Sequence, residues 1–399
     1  MKTKTLRFGV IGLGRAGSGM LSAMAKHPDV RVTAAADLHR EHLDRFVEDF
    51  DGLAFSDAEA LCASSEIDAV FIATPHEYHA DQTIMAARYG KHVIVEKPMA
   101  LTLDDCDRMI AATEQAGVQL VVGHTASYNP AVAKMREMVA SGELGRLGMI
   151  GATAYTDFLY RPRRPEELDT ALGGGIMFNQ VPHQVDAARL IGGGLVRSVR
   201  AATFVLDPSR PTEGSYTAFL EFENGAAATL AYSGYDHLES GEIAAGRAPK
   251  DADQYSVARR ELARVRTPEE ETALRISTGY GGERPVVRER SGRASLLQGE
   301  LGVFIVNAKH ADLRLGADGV LAYTSAGLKL IPPNPWRGTA GRGNVIDELY
   351  YAVTDGRPLV HHGRWAKATL EVCLAMLQSS HEHREIQLAH QVPTVDPQA

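Results

Sequence analysis

The hexapeptide Gly12-Leu13-Gly14-Arg15-Ala16-Gly17 constrains this chain more than any other feature. An apolar run, Leu6–Ile11, precedes it and reads as a buried parallel strand. A helical segment follows over 16–26, then a second strand over 30–36, then Asp37, which lies 20 positions beyond Gly17. Strand, Gly-x-Gly-x-x-Gly, helix, strand and terminal acid, in that order, make the fingerprint of a dinucleotide-binding βαβ unit. Gly12 permits the tight turn, Gly14 lets the backbone approach a pyrophosphate, and Gly17 lets the helix pack on the strand. Leu13, Arg15 and Ala16 complete the loop, and the helix start offers free N–H groups to phosphate. Asp37 suits a ribose hydroxyl and repels a 2′-phosphate, which favours NAD over NADP; Arg40, three positions on, partly offsets this. A glycine-rich turn of some other α/β protein is the competing reading.

A chain of 399 residues has room for about two domains. Its 44% hydrophobic and 23% charged residues are ordinary for a globular protein. A net charge of −8 without a basic face argues against nucleic acid and anionic membranes as partners. Apolar runs are too short for a membrane span, and the one after Met1–Arg7 is too short for a signal peptide. Three scattered cysteines, Cys62, Cys106 and Cys373, fit free thiols in a reducing compartment, hence a cytoplasmic protein, and no metal site is expected.

Strand and helix alternate through residue 123, with strands expected over 6–11, 30–36, 69–73, 92–96 and 119–122. This predicts a doubly wound parallel Rossmann sheet in a first domain, 1–123. Ligands of such sheets sit at the carboxyl ends of the strands, here Gly12, Asp37, Thr74, Lys97 and His124. Residues 124–399 read as an α+β domain with an open, mainly antiparallel sheet. Its strands are expected over 148–158, 196–206, 216–222 and 226–232, with Asn224-Gly225 as a hairpin turn, and its helices over 131–140, 179–190, 345–354 and 366–381. A polar stretch at about 239–293 reads as an insertion between strands, with one solvated helix over 253–273. A flexible surface excursion and a subunit contact both stay open for it.

Two constellations carry chemistry. Glu96-Lys97-Pro98 ends a strand, so Lys97 points into the crevice, where its ammonium can hold a substrate oxygen; a plain surface lysine is the alternative. Gly173-Gly174-Gly175 leads to Asn179 and His183, four apart and so expected on one helical face, with His183 a natural general acid or base near neutral pH. Asp186, three positions on, either tunes His183 or faces solvent. Arg161, Arg163 and Arg164 precede the glycine loop and read either as a clamp for a carboxylated substrate or as a loop neutralised by Glu166, Glu167 and Asp169. His124, Tyr155, Trp336 and Arg337 are further pocket candidates.

On Gly12–Gly17, Ala73-Thr74-Pro75 with His79, Glu96-Lys97-Pro98 and the glycine loop before His183, the chain resembles the Gfo/Idh/MocA oxidoreductases from about Leu6 to His381. The resemblance implies NAD(P)-linked hydride transfer at a carbinol. It implies Lys97 and His183 as catalytic pair, and Thr74, Pro75, His76, His79 and Glu96 on the nicotinamide side. Asn179, Arg161, Arg163, Arg164 and His124 would meet the substrate. It also implies a homodimer or homotetramer built through the second sheet. Many members carry aspartate where this chain has Asn179, so proton transfer falls to Lys97 and His183. Asp157–Leu168, Asn179–Asp186 and Asn334-Pro-Trp-Arg-Gly are similar to the phthalate dihydrodiol dehydrogenase branch, which converts 4,5-dihydro-4,5-dihydroxyphthalate to 4,5-dihydroxyphthalate. A sugar or inositol dehydrogenase, a redox-neutral enzyme with retained NAD, and an NAD-binding regulator without turnover are the alternatives.

Overall fold

The computed structural model describes residues 5–244, 255–277, 280, 300–316, 318–337 and 339–395. The first sheet contains β1 (Leu6–Ile11), β2 (Val30–Ala36), β3 (Leu53–Phe55), β4 (Ala69–Ile72), β5 (His92–Val95) and β6 (Leu120–Val122). All pairings are parallel, in the order β3-β2-β1-β4-β5-β6. Continuous apolar runs such as Ala69–Ile72 are buried on both faces because helices cover both sides. Strand order reverses between β1 and β4, so a crevice opens at their carboxyl ends. The three-residue edge strand β3 was not expected; Leu53 and Ala54 are exposed, so it carries no burial pattern.

Side-chain caps set several of the helix starts. Asp57 accepts the N–H of Ala60, and Thr102 that of Asp105. Asn129 accepts from Ala131, with Pro130 at the first helical position.

The second sheet has nine strands: β7 (Leu147–Tyr155), β8 (Val196–Phe204), β9 (Ser215–Phe222), β10 (Ala227–Ser233), β11 (Val303–Ala308), β12 (Ala311–Leu315), β13 (Val320–Thr324), β14 (Gly327–Ile331) and β15 (Ile386–Gln387). Their order is β14-β13-β12-β11-β7-β10-β9-β8-β15, antiparallel except for the central parallel pair β7–β10. The expected hairpin forms at Asn224-Gly225, where Gly225 has φ +80° and the Asn224 side chain accepts from Ala226. Helices Val181–Gly192 and Gly363–Glu382 cover the inner face. The outer face presents Met149, Tyr155, Phe219, Ile305 and Tyr323, each more than a third exposed.

Two late helices reach back to the first layer. Arg342–Asp355 packs on the first sheet, where Val345, Ile346 and Leu349 join the core of Phe8, Met20 and Val121. Gly363–Glu382 packs against both layers, touching helix Leu103–Ala116 on one side and β8 on the other. The first layer is thus completed by residues more than 200 positions beyond its last strand.

Among the described residues, helices Val257–Leu262 and Pro268–Ile276 stand in place of the single helix expected over 253–273, after a short helix Gly241–Ala244. Thr267 caps the second helix and Pro268 starts it, so the chain breaks there. Residues 245–254, 278–279 and 281–293 of the stretch lie outside the described residues. The second helix is docked: Glu271 pairs with Arg210 at 2.8 Å and accepts the N–H of Arg163, and Arg275 pairs with Glu167 at 3.0 Å. Burial raises the Glu167 carboxyl, but Arg275, Arg163 and the Arg164 N–H outweigh it and hold the group at about 2. A folded value below the ordinary one stabilises the fold above about pH 4.5, and this contribution is lost as pH falls toward 2. Glu167→Gln should therefore destabilise the protein at neutral pH by about 1–3 kcal/mol and flatten the acid side of its stability profile. Denaturant melts between neutral and acid pH test this; equal stability losses at all pH values would refute it.

Candidate active site

The glycine loop connects β1 to helix Arg15–Met24. Gly12 has φ +90°, and a Cβ there would lie 2.8 Å from the Ala73 carbonyl oxygen. A Cβ on Gly17 would lie 2.0 Å from the Gly12 carbonyl oxygen, so the helix could not seat. Gly14 differs: a Cβ there meets nothing within 4 Å. It caps the helix beneath open space, as a cradle for a pyrophosphate requires. Leu13 is fully buried and anchors the loop.

Asp37, at the end of β2, accepts the Leu13 N–H at 2.6 Å and the His39 N–H at 2.8 Å, with His42 at 3.3 Å. Burial pushes its carboxyl up, but these three donors bring it below the ordinary range, so it is ionised. About four lone-pair sites against three donors leave it able to accept from a ribose hydroxyl. Arg40 is exposed and pairs with Asp44 at 2.8 Å. These residues fit NAD and disfavour a 2′-phosphate.

The loop after β4 carries Thr74, Pro75, His76 and His79. Thr74 donates to Gln82 at 2.7 Å. The His76 ring meets the Gly173 carbonyl at 3.2 Å, joining this loop to the second glycine loop; burial drops its titration to about 3. His79 corrects the expectation that it lines the crevice. It is fully buried, with its nitrogens 2.9 Å from the Pro98 carbonyl and 3.0 Å from the Thr74 carbonyl, and it braces two strand-end loops.

Lys97 follows β5. Its Nζ donates to the backbone carbonyl of Asn179 at 2.7 Å. Burial lowers its ammonium below the ordinary lysine range, countered by Glu96 and Glu300 and reinforced by Arg163. Glu96 accepts the Lys97 N–H at 3.2 Å. Burial raises the Glu96 carboxyl, while Arg342 and Lys97 pull it back.

Asn179 and His183 do not share one helix. The chain breaks at Gln180, between helices Gly175–Asn179 and Val181–Gly192. The Asn179 amide turns back to donate to the Gly175 carbonyl at 2.8 Å, so its backbone carbonyl, not its side chain, meets Lys97. A carboxylate here would face carbonyl oxygens and could donate nothing, which explains why an amide suits this loop. The three glycines serve packing of the chain on itself: a Cβ on Gly174 would lie 2.6 Å from the Glu167 backbone, and one on Gly175 2.0 Å from the Thr212 hydroxyl.

His183 is 4% exposed, and its Nδ1 is buried without a hydrogen bond, 3.8 Å from Glu300. Burial and then the charges of Lys97, His124 and Arg342 hold it well below the ordinary histidine value. It is a neutral imidazole able to take a proton. Asp186 does not tune it; that carboxylate faces Trp365, Thr369, His124 and His361.

The arginines divide. Arg163 is buried and stacked 4.0 Å over Phe158; its guanidinium donates to the Phe158 carbonyl at 3.0 Å, lies 3.7 Å from Glu167, and its charge reaches Lys97. Arg161 is largely buried and pairs with Asp157 at 2.8 Å. Arg164 turns to Glu166 and Glu167, at 3.2 and 3.5 Å, away from the reactive lysine. Tyr155 lies on the outer face of the second sheet, and Arg337 bonds Asp29 and Tyr351, so neither lines the pocket. Glu300, Arg342 and Tyr280, whose N–H donates to the Leu13 carbonyl at 3.2 Å, were not singled out from sequence. They come from distant segments and carry no local motif.

Comparison with known proteins agrees with this fold. Residues 6–124 match the GFO_IDH_MocA model, described as oxidoreductase family, NAD-binding Rossmann fold, and residues 132–244 match the GFO/IDH/MocA C-terminal domain. A 1-carboxy-3-chloro-3,4-dihydroxycyclohexa-1,5-diene dehydrogenase of Comamonas testosteroni is 37% identical over 94% of each chain. A myo-inositol 2-dehydrogenase of Thermotoga maritima is 31% identical over 58% of this chain and 71% of its own. The crystal structure of a candidate dehydrogenase from Bordetella bronchiseptica RB50 superposes with TM-score 0.89 at 42% identity, covering 96% of this chain and all of the other.

Proposed function

The chain belongs to the Gfo/Idh/MocA family of NAD-binding oxidoreductases, and from that premise we propose that it oxidises a carboxylated cyclohexadiene cis-diol. The observation that carries this reading is the similarity, along nearly the whole chain, to the Comamonas enzyme, which is named for a carboxylated dihydroxycyclohexadiene. The buried Arg163, whose charge reaches Lys97, supports it, because a guanidinium fork matches a carboxylate. A phthalate-type diol with two carboxylates is the finer proposal, with Arg161 as second partner.

When bound, NAD would be held by the Gly12–Gly17 loop and Asp37 and would supply the acceptor for the carbinol hydride. The chain supplies the rest. Lys97 holds the hydroxyl oxygen and stabilises the negative charge that develops on it. His183, neutral and buried, takes the hydroxyl proton. Arg163 orients the ring through its carboxylate. The product ketone of a cyclohexadiene diol tautomerises to an aromatic catechol, which draws the reaction forward.

The test is NADH formation, followed by ultraviolet absorbance, with NAD or NADP and a carboxylated cis-dihydrodiol, beside a panel of neutral sugars and inositols. Turnover of the diol with NAD is expected; turnover of polyols alone would move the chain to the sugar and inositol side of the family. Arg163→Gln should raise KM for the diol roughly 10- to 100-fold and leave NADH affinity unchanged. An unchanged KM would detach this arginine from the substrate.

The outer face of the second sheet, with Met149, Phe219, Ile305 and Tyr323 exposed, supports the proposal that subunits meet there as a homodimer or homotetramer. Three buried free cysteines support placement in the reducing cytoplasm.

A further inference from the structure

A carbonyl inside a helix is ordinarily taken by the N–H four residues on. Around Asn179 this pattern fails. Pro182 has no N–H to offer the Phe178 carbonyl, and the His183 N–H turns to the Gln180 carbonyl at 3.1 Å, one residue past Asn179. The Asn179 carbonyl is thereby released from the helix, and Lys97 Nζ donates to it at 2.7 Å. Among the described residues this is the one hydrogen bond of the Lys97 ammonium, which leaves two of its three N–H groups for a substrate oxygen.

The break is held from the second sheet. Gln180, at φ −116° and ψ −42°, joins helices Gly175–Asn179 and Val181–Gly192. Its side-chain oxygen accepts from the Tyr232 hydroxyl at 3.2 Å. With its one proton placed there, the Tyr232 oxygen accepts from the Thr156 hydroxyl. Tyr232 stands on β10 and Thr156 directly follows β7, with the Thr156 N–H on the Ser233 carbonyl at 2.8 Å. The anchor therefore belongs to the parallel pair at the centre of the sheet. One turn along the helix, Gln184 repeats the device. Its side-chain oxygen accepts from the Tyr216 hydroxyl, and its amide donates to the Ala231 carbonyl at 3.3 Å. Tyr216 and Tyr232 face each other across β9 and β10, with stacked rings 6.3 Å apart. Both tyrosines and both glutamines are buried, so removing one partner leaves the other without water to replace it.

We propose that Tyr232 and Gln180 are positioning residues for the reaction: by pinning the break between the two helices they aim the Asn179 carbonyl at Lys97 and set where its ammonium meets the substrate oxygen. The inference rests on Lys97 and His183 being the reactive pair. The same break starts the helix that carries His183, so one anchor places both groups.

The carbonyl also bears on the charge of the ammonium. Burial lowers Lys97 below the ordinary lysine range, and a hydrogen bond donated by the charged form works against that. Losing the carbonyl therefore lowers the group further. Glu96, Glu300 and Arg163 are the charges that reach Lys97. The Cys373 thiol and the imidazoles of His76, His79, His124 and His183 surround it as neutral groups, each displaced by burial toward its uncharged form. The substitutions below alter none of these.

The test is the pH profile of kcat on full-length enzyme with NAD and a carboxylated cis-dihydrodiol. Beside it, acetic anhydride labelling of Lys97 against pH, read by mass spectrometry, follows the ammonium without substrate and so tests the anchor apart from the choice of diol. Tyr232→Phe removes the hydroxyl and keeps the ring; Gln180→Leu removes the acceptor, and either variant reads the same bond if the other fails to fold. Each should lower kcat about tenfold, leave NADH affinity unchanged, and move the basic limb and the labelling midpoint down by about one pH unit. Gln180→Glu keeps an acceptor for Tyr232, so its limb should stand at or above that of wild type. Tyr216→Phe is the control: it loosens Gln184, a turn away, and should lower the melting temperature while limb and midpoint stay in place. Limb and midpoint that stay put in folded Tyr232→Phe or Gln180→Leu, or that move as far in Tyr216→Phe, overturn the proposal. If Lys97→Met is inactive while those midpoints superimpose on wild type, the reactive pair stands and the anchor falls. Normal turnover in Lys97→Met would remove the pair itself.

Discussion

Lys97→Met should lower kcat about a thousand-fold and leave NADH affinity close to wild type. The methionine keeps the apolar stem in its buried slot and deletes only the ammonium. That ammonium touches the Asn179 carbonyl at 2.7 Å and, in the proposed reaction, stabilises the alkoxide that forms. Losing one preorganised donor to a developing oxyanion costs roughly 10²- to 10³-fold, and loss of a positioned proton-transfer partner adds to it. The Asn179 carbonyl would also lose its partner, at about 1–3 kcal/mol of stability. Thermal melts would register this smaller effect separately. In wild type, the basic limb of the kcat profile should fall below lysine's ordinary value, since burial weakens the ammonium. That limb should be absent from the residual activity of the variant. Near-normal turnover would exclude Lys97 from the reaction.

Gly14→Val should leave the melting temperature nearly unchanged and weaken NADH binding by about 100-fold or more. The backbone at Gly14 has φ −63°, which valine accepts, and a Cβ there finds no protein atom within 4 Å. The space it fills is the space the cofactor's pyrophosphate needs against the helix N-terminus. Losing several charge-assisted backbone contacts at once is worth about 3 kcal/mol or more, hence the 100-fold. Gly17→Val gives the contrast: its Cβ would lie 2.0 Å from the Gly12 carbonyl, so that variant should lose stability first and binding as a consequence. Fluorescence titration of NADH with parallel melts separates the two. Unaltered NADH binding in a folded Gly14→Val protein would mean that the pyrophosphate does not cross this residue.

Much of the site was legible because its signals are local. The glycine loop, Asp37, Lys97 and His183 each sit at a strand end or helix start that neighbouring residues announce. Other parts misled for equally physical reasons. Four-residue spacing placed Asn179 and His183 on one helix, but Gln180 breaks it, and the Asn179 amide is spent on the Gly175 carbonyl. His79 has the polarity of a lining residue, yet two carbonyl partners hold it inside. Strands β11–β14 escaped because they follow a polar insertion that interrupts the rhythm of the second sheet, and two of them, β12 and β13, alternate only over five residues.

What the amino-acid sequence determined by itself is the doubly wound first layer. Apart from the short, exposed edge strand β3, its strands are largely buried on both faces, so continuous apolar runs and the punctuating glycines specify them without reference to distant residues. The tertiary structure alone decided which far segments meet. It paired β7 with β10 in parallel across more than 70 residues and laid helix Arg342–Asp355 on the first sheet. It also brought Glu300 to His183 and Glu348 through His361 to Asp186. Such encounters depend on burying shared apolar surface between layers, and the charges are carried in with it. A charge that is ordinary in its own segment takes its role from the partners that this burial imposes.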